Sequence, residues 1–368
     1  MDFPSPKSNI EKLHTYKPNF GKSKTNNLIR LSANESALGA SLDAINALKN
    51  FSSDLNRYPP QVSDELIRAI SRRYSLNKKK IILGNGSDEL ISILAQTFLN
   101  FNDEAIYTEF GFLQFPQSIS IAGAKGVIAN DVNYTANVDN ILSKISRKTK
   151  LIFLANPNNP TGTFISKKEF IRLHKSIPKN ILLVYDAAYS EFVVNDDYID
   201  GSKLVEKYEN VIMLRTFSKL HGLASLRLGW GYASENIIAN LMKVRGPFSI
   251  NTAAIIAGVA ALEDLEFQKR SVQHNLKWMS WFEKELKSLN LDFQTSITNF
   301  LLIKFPIENK YNAENAERFL ASKGILVRGM KVYSLSNYLR VSIGTQEENI
   351  KFVNELKNFL KKNDEIRI

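Results

Sequence analysis

The strongest constraint on the fold is an alternation that begins near residue 81. Short apolar, β-branched runs are followed by turn residues and then by helical periodicity. The runs are Ile81–Leu83, Leu151–Ala155, Ile181–Tyr185, Val211–Leu214 and Trp230–Ala233. Helical spacing covers Asp88–Leu99, Lys167–Lys175 and Glu235–Val244, and Ser166 with Glu169 reads as a capping box. Strands alternating with helices predict a mostly parallel sheet covered on both faces. Beyond residue 246 the texture changes. Helical periodicity runs from Thr252 to Leu289, followed by a strand at Phe300–Phe305 and a helix at Ala313–Ser322. Strand-like pieces at Ile325–Arg328 and Tyr338–Ser342 precede a last helix, where Thr345 and Glu348 form a second capping box. The expectation is an α/β chain in three parts: a polar N-terminal arm over 1–30, a large domain over 31–245 and a smaller α+β domain over 246–368.

Composition removes whole classes of function. The 368 residues include no cysteine, which excludes disulfide frameworks, iron–sulfur clusters and cysteine nucleophiles. The four histidines, His14, His174, His221 and His274, include no i, i+4 pair, and no metal site is expected. The net charge of +11 is dispersed, with one tight run at Lys78–Lys80. That pattern favours solubility or anionic metabolites over a nucleic-acid stripe. No segment approaches the ~18 apolar residues of a membrane helix. Met1–Lys17 has no apolar signal region, so a cytoplasmic location is expected.

Two nucleotide motifs fail on inspection. Gly21-Lys22-Ser23 lacks the earlier glycine of a phosphate loop, since Tyr16 stands there. Gly84-Asn85-Gly86 lacks the third glycine of a dinucleotide fingerprint. The informative feature is where polar clusters fall. Gly84–Glu89, Asn156–Gly162, Asp186–Tyr189 and Thr216–Lys219 each follow directly on a predicted strand. In a parallel sheet all four emerge at the carboxyl edge, where open α/β folds bind ligands.

The chemistry of these groups converges on one ligand. Lys219, beside Thr216 and Ser218, is an amine suited to a Schiff base with a carbonyl. Asp186 at a strand end can pair with a cation. Ser87 and Asp88 open a helix, where free N–H groups attract phosphate, and Arg227 adds a bidentate contact. An aldehyde, a ring nitrogen and a phosphate are together the complements carried by pyridoxal phosphate. Singly each feature is ordinary: a solvated Ser-Lys, a capping Asp, a double turn, a helix cap. Their order and spacing make the ordinary reading improbable.

On these motifs the sequence resembles the fold-type I pyridoxal-phosphate aminotransferases, the aspartate-aminotransferase-like fold, and is most similar to the histidinol-phosphate branch. The landmarks are Leu31-Ser32-Ala33-Asn34-Glu35, Arg57-Tyr58-Pro59, Gly86-Ser87-Asp88-Glu89 and Asn158-Asn159-Pro160-Thr161-Gly162. They continue with Asp186 and Tyr189, Ser218-Lys219 with Arg227, Arg245-Gly246-Pro247-Phe248, and Leu339-Arg340-Val341-Ser342-Ile343-Gly344. The resemblance implies a pyridoxal 5'-phosphate enzyme that exchanges an amino group between histidinol phosphate and 2-oxoglutarate.

It also implies roles. Lys219 holds the cofactor covalently, Asp186 pairs with the pyridine nitrogen, and Asn159 and Tyr189 bond the ring hydroxyl. Ser87, Asp88, Ser218 and Arg227 hold the phosphate, with Tyr58 reaching across a homodimer interface. Phe112 stacks on the ring. Arg340 binds the substrate anion, assisted by Arg328 and by Tyr16 from the partner arm. Three positions depart from the family pattern: Ala187 where glutamate is usual, Leu220 where a small residue is common, and Ser36-Ala37 where Asn-Pro follows Asn-Glu. None bears a reacting group, but they leave the amino donor open. An aromatic or dual-specificity aminotransferase shares nearly every motif, and a phosphothreonine-type decarboxylase shares the frame.

Overall fold

A computed structural model describes residues 4–11, 13, 28–51, 55–307 and 310–362. Its centre is a seven-stranded sheet. In spatial order the strands are Ile81–Gly84, Gly229–Ala233, Val211–Thr216, Leu182–Asp186, Thr149–Ala155, Glu104–Thr108 and Lys125–Ala129. The five from Val211–Thr216 to Lys125–Ala129 are parallel. Gly229–Ala233 runs against both its neighbours, so Ile81–Gly84 again points the same way as the five. Leu182–Asp186, Val211–Thr216 and Gly229–Ala233 are buried along their whole length, and Thr149–Ala155 everywhere but at Lys150, which is why they read as continuous apolar stretches.

Two cores flank this sheet. One face packs Leu83, Ile152, Leu183, Met213 and Trp230 with the helices Asp64–Tyr74, Lys167–Ser176 and Thr252–Glu263. The other packs Ile82, Phe153, Val184 and Ile212 with Gly86–Phe98, Gln114–Ile121 and Glu235–Val244. A third core belongs to a four-stranded antiparallel sheet ordered Arg328–Met330, Leu335–Ser342, Phe300–Lys304 and Phe293–Gln294. Its helices are Ala313–Ser322, Gln346–Lys362 and the second half of Leu265–Ser288.

Packing crosses both expected domain limits. Thr252–Glu263 lies beyond residue 246 but buries Ala254, Ile255, Ala257 and Ala261 in the large-sheet core. This helix is apolar on nearly every side, so its sequence does not say which sheet it covers. Ile29–Arg30, expected in the arm, pairs in parallel with Ile325–Leu326, and Leu31 is buried in the small-domain core. The expected helical stretch from Thr252 to Leu289 is two helices broken at Asp264. That residue's N–H ends the first on Ala260 O, and its Oδ1 caps the second through Phe267 N at 2.9 Å.

The capping boxes differ. Thr345 and Glu348 make both reciprocal bonds, at 2.8 and 3.3 Å. Ser166 accepts from Glu169 N at 3.2 Å, but the Glu169 carboxylate turns to Arg172 instead. Among the described residues no helix is long and apolar enough to cross a membrane.

Candidate active site

The reversed strand explains how the site is assembled. Gly229, at its start, pairs with Gly84 on one side and Thr216 on the other. The residues just before Gly229 therefore arrive at the carboxyl edge, beside the clusters that follow the other strands. Arg227 is one of them, held in the left-handed region at φ +53°.

The anion end of the site is built from backbone. The helix Gly86–Phe98 begins with no side-chain cap from Asn85, leaving the N–H groups of its first turn unclaimed by a capping side chain. Arg227 reaches across them. Its Nη1 donates to Ser218 Oγ at 3.3 Å and to Ala224 O at 3.0 Å, and its Nη2 donates to Asp88 Oδ2 at 3.0 Å. Two glycines keep the floor clear. A Cβ at Gly86 would lie 2.5 Å from Arg227 Nη2, and one at Gly229 would lie 2.4 Å from Ser87 N. Ser87, Asp88, Ser218 and Arg227 are thus brought together as expected. The Asp88 carboxylate faces Arg227, so Asp88 can serve an anion only through its N–H, its charge instead orienting the guanidinium.

The reacting groups lie at the next strand ends. Asp186 closes Leu182–Asp186, is 5% exposed, and accepts one bond, from Ala188 N at 3.1 Å. Burial and the nearby Asp88 charge push its carboxyl up to about 7, against the opposing pull of the Ala188 N–H and Lys219. Lys219 is half-buried and donates to Ala33 O at 3.3 Å. Burial first, then the Arg340 charge, bring its amine down to about 8. An amine so placed is neutral in an appreciable fraction of molecules near neutral pH. Tyr189 lies under it, with Lys219 Nζ 5.6 Å from the ring centroid, and burial raises its hydroxyl to about 12.

The third face carries Arg340 and Asn159. Arg340 Nη1 donates to Asn159 Oδ1 and Nη2 donates to Ser32 O at 2.8 Å, while the guanidinium sits 5.4 Å from the Phe300 ring centroid. Asn159 stands in a turn whose two Asn–Pro bonds are cis, and the turn is stiffened by Gly162 N donating to Asn158 O. Asn158 Nδ2 bonds Phe110 O at 3.0 Å, tying this turn to the loop that bears Phe112. Phe112 is half-buried, edge-on to Phe115. Arg328 lies directly opposite Arg340 in the antiparallel pair, so both project from one face. Tyr58 is 81% exposed and stacks on Phe248 at 4.7 Å. Tyr16 lies outside the described residues.

Several contributors were not singled out from sequence. Asn34 Nδ2 donates to Tyr189 OH at 2.9 Å, and the carbonyls of Ser32 and Ala33 receive Arg340 and Lys219. These are contacts across most of the chain, and the sole sequence signal was the Ala33-Asn34-Glu35 landmark. Arg215 is the second. It is buried between Glu191 (3.0 Å) and Asp200 (2.7 Å), and ties the strand leading to Lys219 to the loop after Asp186.

Comparisons with known proteins identify the family and the fold. The profile for aminotransferases of class I and II matches residues 26–356. A histidinol-phosphate aminotransferase of Paramagnetospirillum magneticum is 43% identical over 333 residues, 90% of this chain and 92% of that protein. One from Maricaulis maris is 42% identical over 357 residues, covering 97% and 99%. Among solved structures, histidinol-phosphate aminotransferase from Sinorhizobium meliloti in complex with pyridoxal-5'-phosphate superposes with a TM-score of 0.91. It is 23% identical and covers 98% of this chain and 99% of that one. A Thermus thermophilus aspartate aminotransferase mutant gives 0.82 at 18% identity, covering 97% and 100%. At these identities the two structures establish the fold.

Proposed function

The chain belongs to the class I and II aminotransferase family, and we propose that it transfers the amino group of L-histidinol phosphate to 2-oxoglutarate, giving imidazole-acetol phosphate and glutamate. The observation that carries the reading is the convergence of Lys219, Asp186 and the Arg227 cradle on one sheet edge, in a chain over 40% identical to two enzymes named for this reaction.

The residues present fit pyridoxal 5'-phosphate. The uncapped helix start and the glycine floor leave room for a phosphate, and the Asp186 carboxyl has a single backbone donor. Ser87 and Asp88 through their N–H groups, with Ser218 and Arg227, would hold the phosphate. Asp186 would keep a proton on the pyridine nitrogen, Asn159 Nδ2 and Tyr189 OH would bond the ring hydroxyl, and Phe112 would cover the ring. The cofactor, when bound, supplies an aldehyde for an amine and a ring that takes up the electron pair left at the substrate Cα.

The chain's own part follows from the site. Lys219, with its amine lowered to about 8, would hold the cofactor covalently and would carry the proton at the substrate Cα. Among the described residues Asp186 has one backbone N–H and no cation other than Lys219 acting on it, so a protonated ring nitrogen would be the partner that restores its charge. Arg340 holds the anionic end of each substrate, because a guanidinium fork accepts a carboxylate or a phosphate equally well. Arg328, adjacent on the same face, and Tyr16 assist. The reading includes a homodimer in which the exposed Tyr58 completes the partner's phosphate site, and a cytoplasmic location.

The test supplies histidinol phosphate with 2-oxoglutarate and measures glutamate. One glutamate per imidazole-acetol phosphate is expected. Turnover with phenylalanine or tyrosine but not with histidinol phosphate overturns the substrate and leaves the family intact.

A further inference from the structure

A cavity of about 10 Å³ lies among Ser36, Phe192, Ser271, His274, Asn275 and Asn299, next to the Asn34–Glu35 turn. Ser271, Asn275 and Asn299 are each over nine-tenths buried, and Ser271 Oγ, Asn275 Oδ1 and Asn299 Oδ1 have no hydrogen-bond partner among the described residues. Three residues that line one small space each carry such an atom, and a buried polar atom left unpaired forfeits its full hydration.

The two amides are fixed in orientation. Asn275 Nδ2 donates to Thr298 O at 2.9 Å, and Asn299 Nδ2 donates to Asn34 O at 3.1 Å and Glu35 O at 3.2 Å. Turning either amide over would set its oxygen against a carbonyl oxygen. The lining therefore offers two amide acceptors and, from Ser36 and Ser271, hydroxyls that can donate. His274 turns its Nε2 to Gly344 O at 2.9 Å. No carboxylate lines the space, so a bare cation would be buried uncompensated. The volume is that of about one water-sized sphere.

We propose that this cavity binds a single water molecule that donates to Asn275 Oδ1 and Asn299 Oδ1, accepts from Ser271 Oγ, and thereby fixes the turn that supports Tyr189. Asn299 holds the carbonyls of Asn34 and Glu35. Asn34, at φ +55°, is held by its N–H to Ser342 Oγ at 2.9 Å and hands its Nδ2 to Tyr189 OH at 2.9 Å. The bound water closes this seam between the helix Leu265–Ser288 and the active-site turn. Asn299 and Asn34 are positioning residues in it.

Two measurements test the proposal. In a high-resolution crystal structure of the unaltered, cofactor-loaded chain, one density peak should lie about 2.5–3.0 Å from all three oxygens. No peak there, or five or more oxygens at about 2.3–2.6 Å as around a hard cation, overturns it. This arm stands whatever reaction the enzyme catalyses. The second arm rests on the proposed role of Tyr189. Ser271→Val puts two methyl groups into the cavity and should lower kcat about tenfold, leave KM within about twofold and displace the pH profile of kcat. Ser271→Ala keeps the water on both amides and should stay within about twofold of the parent. Equal kinetics and equal pH profiles for the two variants contradict the link to Tyr189.

Discussion

Asp186 ends a strand and Glu191 lies in the short helical turn that follows it, and both side chains are almost wholly withdrawn from water, 5% and 8% exposed. Their surroundings differ. Glu191 meets Arg215 Nη1 at 3.0 Å, and the same guanidinium takes Asp200 at 2.7 Å and lies 5.0 Å from the Tyr74 ring centroid. Asp186 has one backbone N–H and is raised to about 7 by burial and by Asp88. One carboxylate is satisfied inside the chain and holds two loops together. The other is poised for a cation that the described residues do not supply at hydrogen-bonding distance. Complete pairing marks a structural group, and incomplete pairing in a shaped cleft marks a functional one.

The largest effect should come from Lys219→Ala. Multiple-turnover transamination should fall by at least about 10⁴-fold, with the cofactor no longer retained through denaturation, because one amine serves as covalent anchor and proton carrier. Steady-state rates with a mass measurement of the denatured protein check both parts.

Next, Asp186→Asn and Glu191→Gln should separate cleanly. The first should lower kcat by about 10³-fold while leaving denaturant stability unchanged or higher. The second should cost ~3 kcal/mol of stability by leaving Arg215 under-compensated, with activity per folded molecule close to normal. A stability loss for Asp186→Asn with little change in rate would invert the comparison.

A pH series sharpens it. The folded Asp186 carboxyl, raised to about 7, holds a proton that the unfolded chain releases near 3.8. Its contribution to the cofactor-free protein is therefore full below 3.8 and is lost as pH rises through 7. The stability of Asp186→Asn relative to the parent should climb across that window. A flat difference would mean that Asp186 is not desolvated as described.

Smaller changes are expected at the substrate and subunit margins. Arg340→Lys should lower kcat/KM about 10–100-fold for both substrates, since a point charge replaces a fork already bonded to Asn159 and Ser32. Tyr58→Phe should weaken cofactor binding by about tenfold, the low end of the value of one hydrogen bond to a charged group, as titration of the cofactor-free protein would show.

Much of this was legible in the sequence. Strand runs and the polar clusters after them are local patterns, and they placed Ser87, Asn159, Asp186 and Lys219 on one edge. Two strands of the main sheet escaped. Lys125–Ala129 is an edge strand with Lys125, Gly126 and Ile128 exposed, and Glu104–Thr108 opens on a charge, so neither shows a clean apolar run. The arrival of Arg227 depends on one reversed strand, which periodicity does not encode. Asn34 beneath Tyr189 and Arg215 against Glu191 are tertiary contacts with no local signature.

The most direct test of the whole reading is the visible absorbance of the cofactor-loaded protein as L-histidinol phosphate is added. The yellow band should bleach and then return when 2-oxoglutarate follows. A band that ignores histidinol phosphate and bleaches with phenylalanine, or a protein that stays colourless with pyridoxal phosphate in excess, would contradict it.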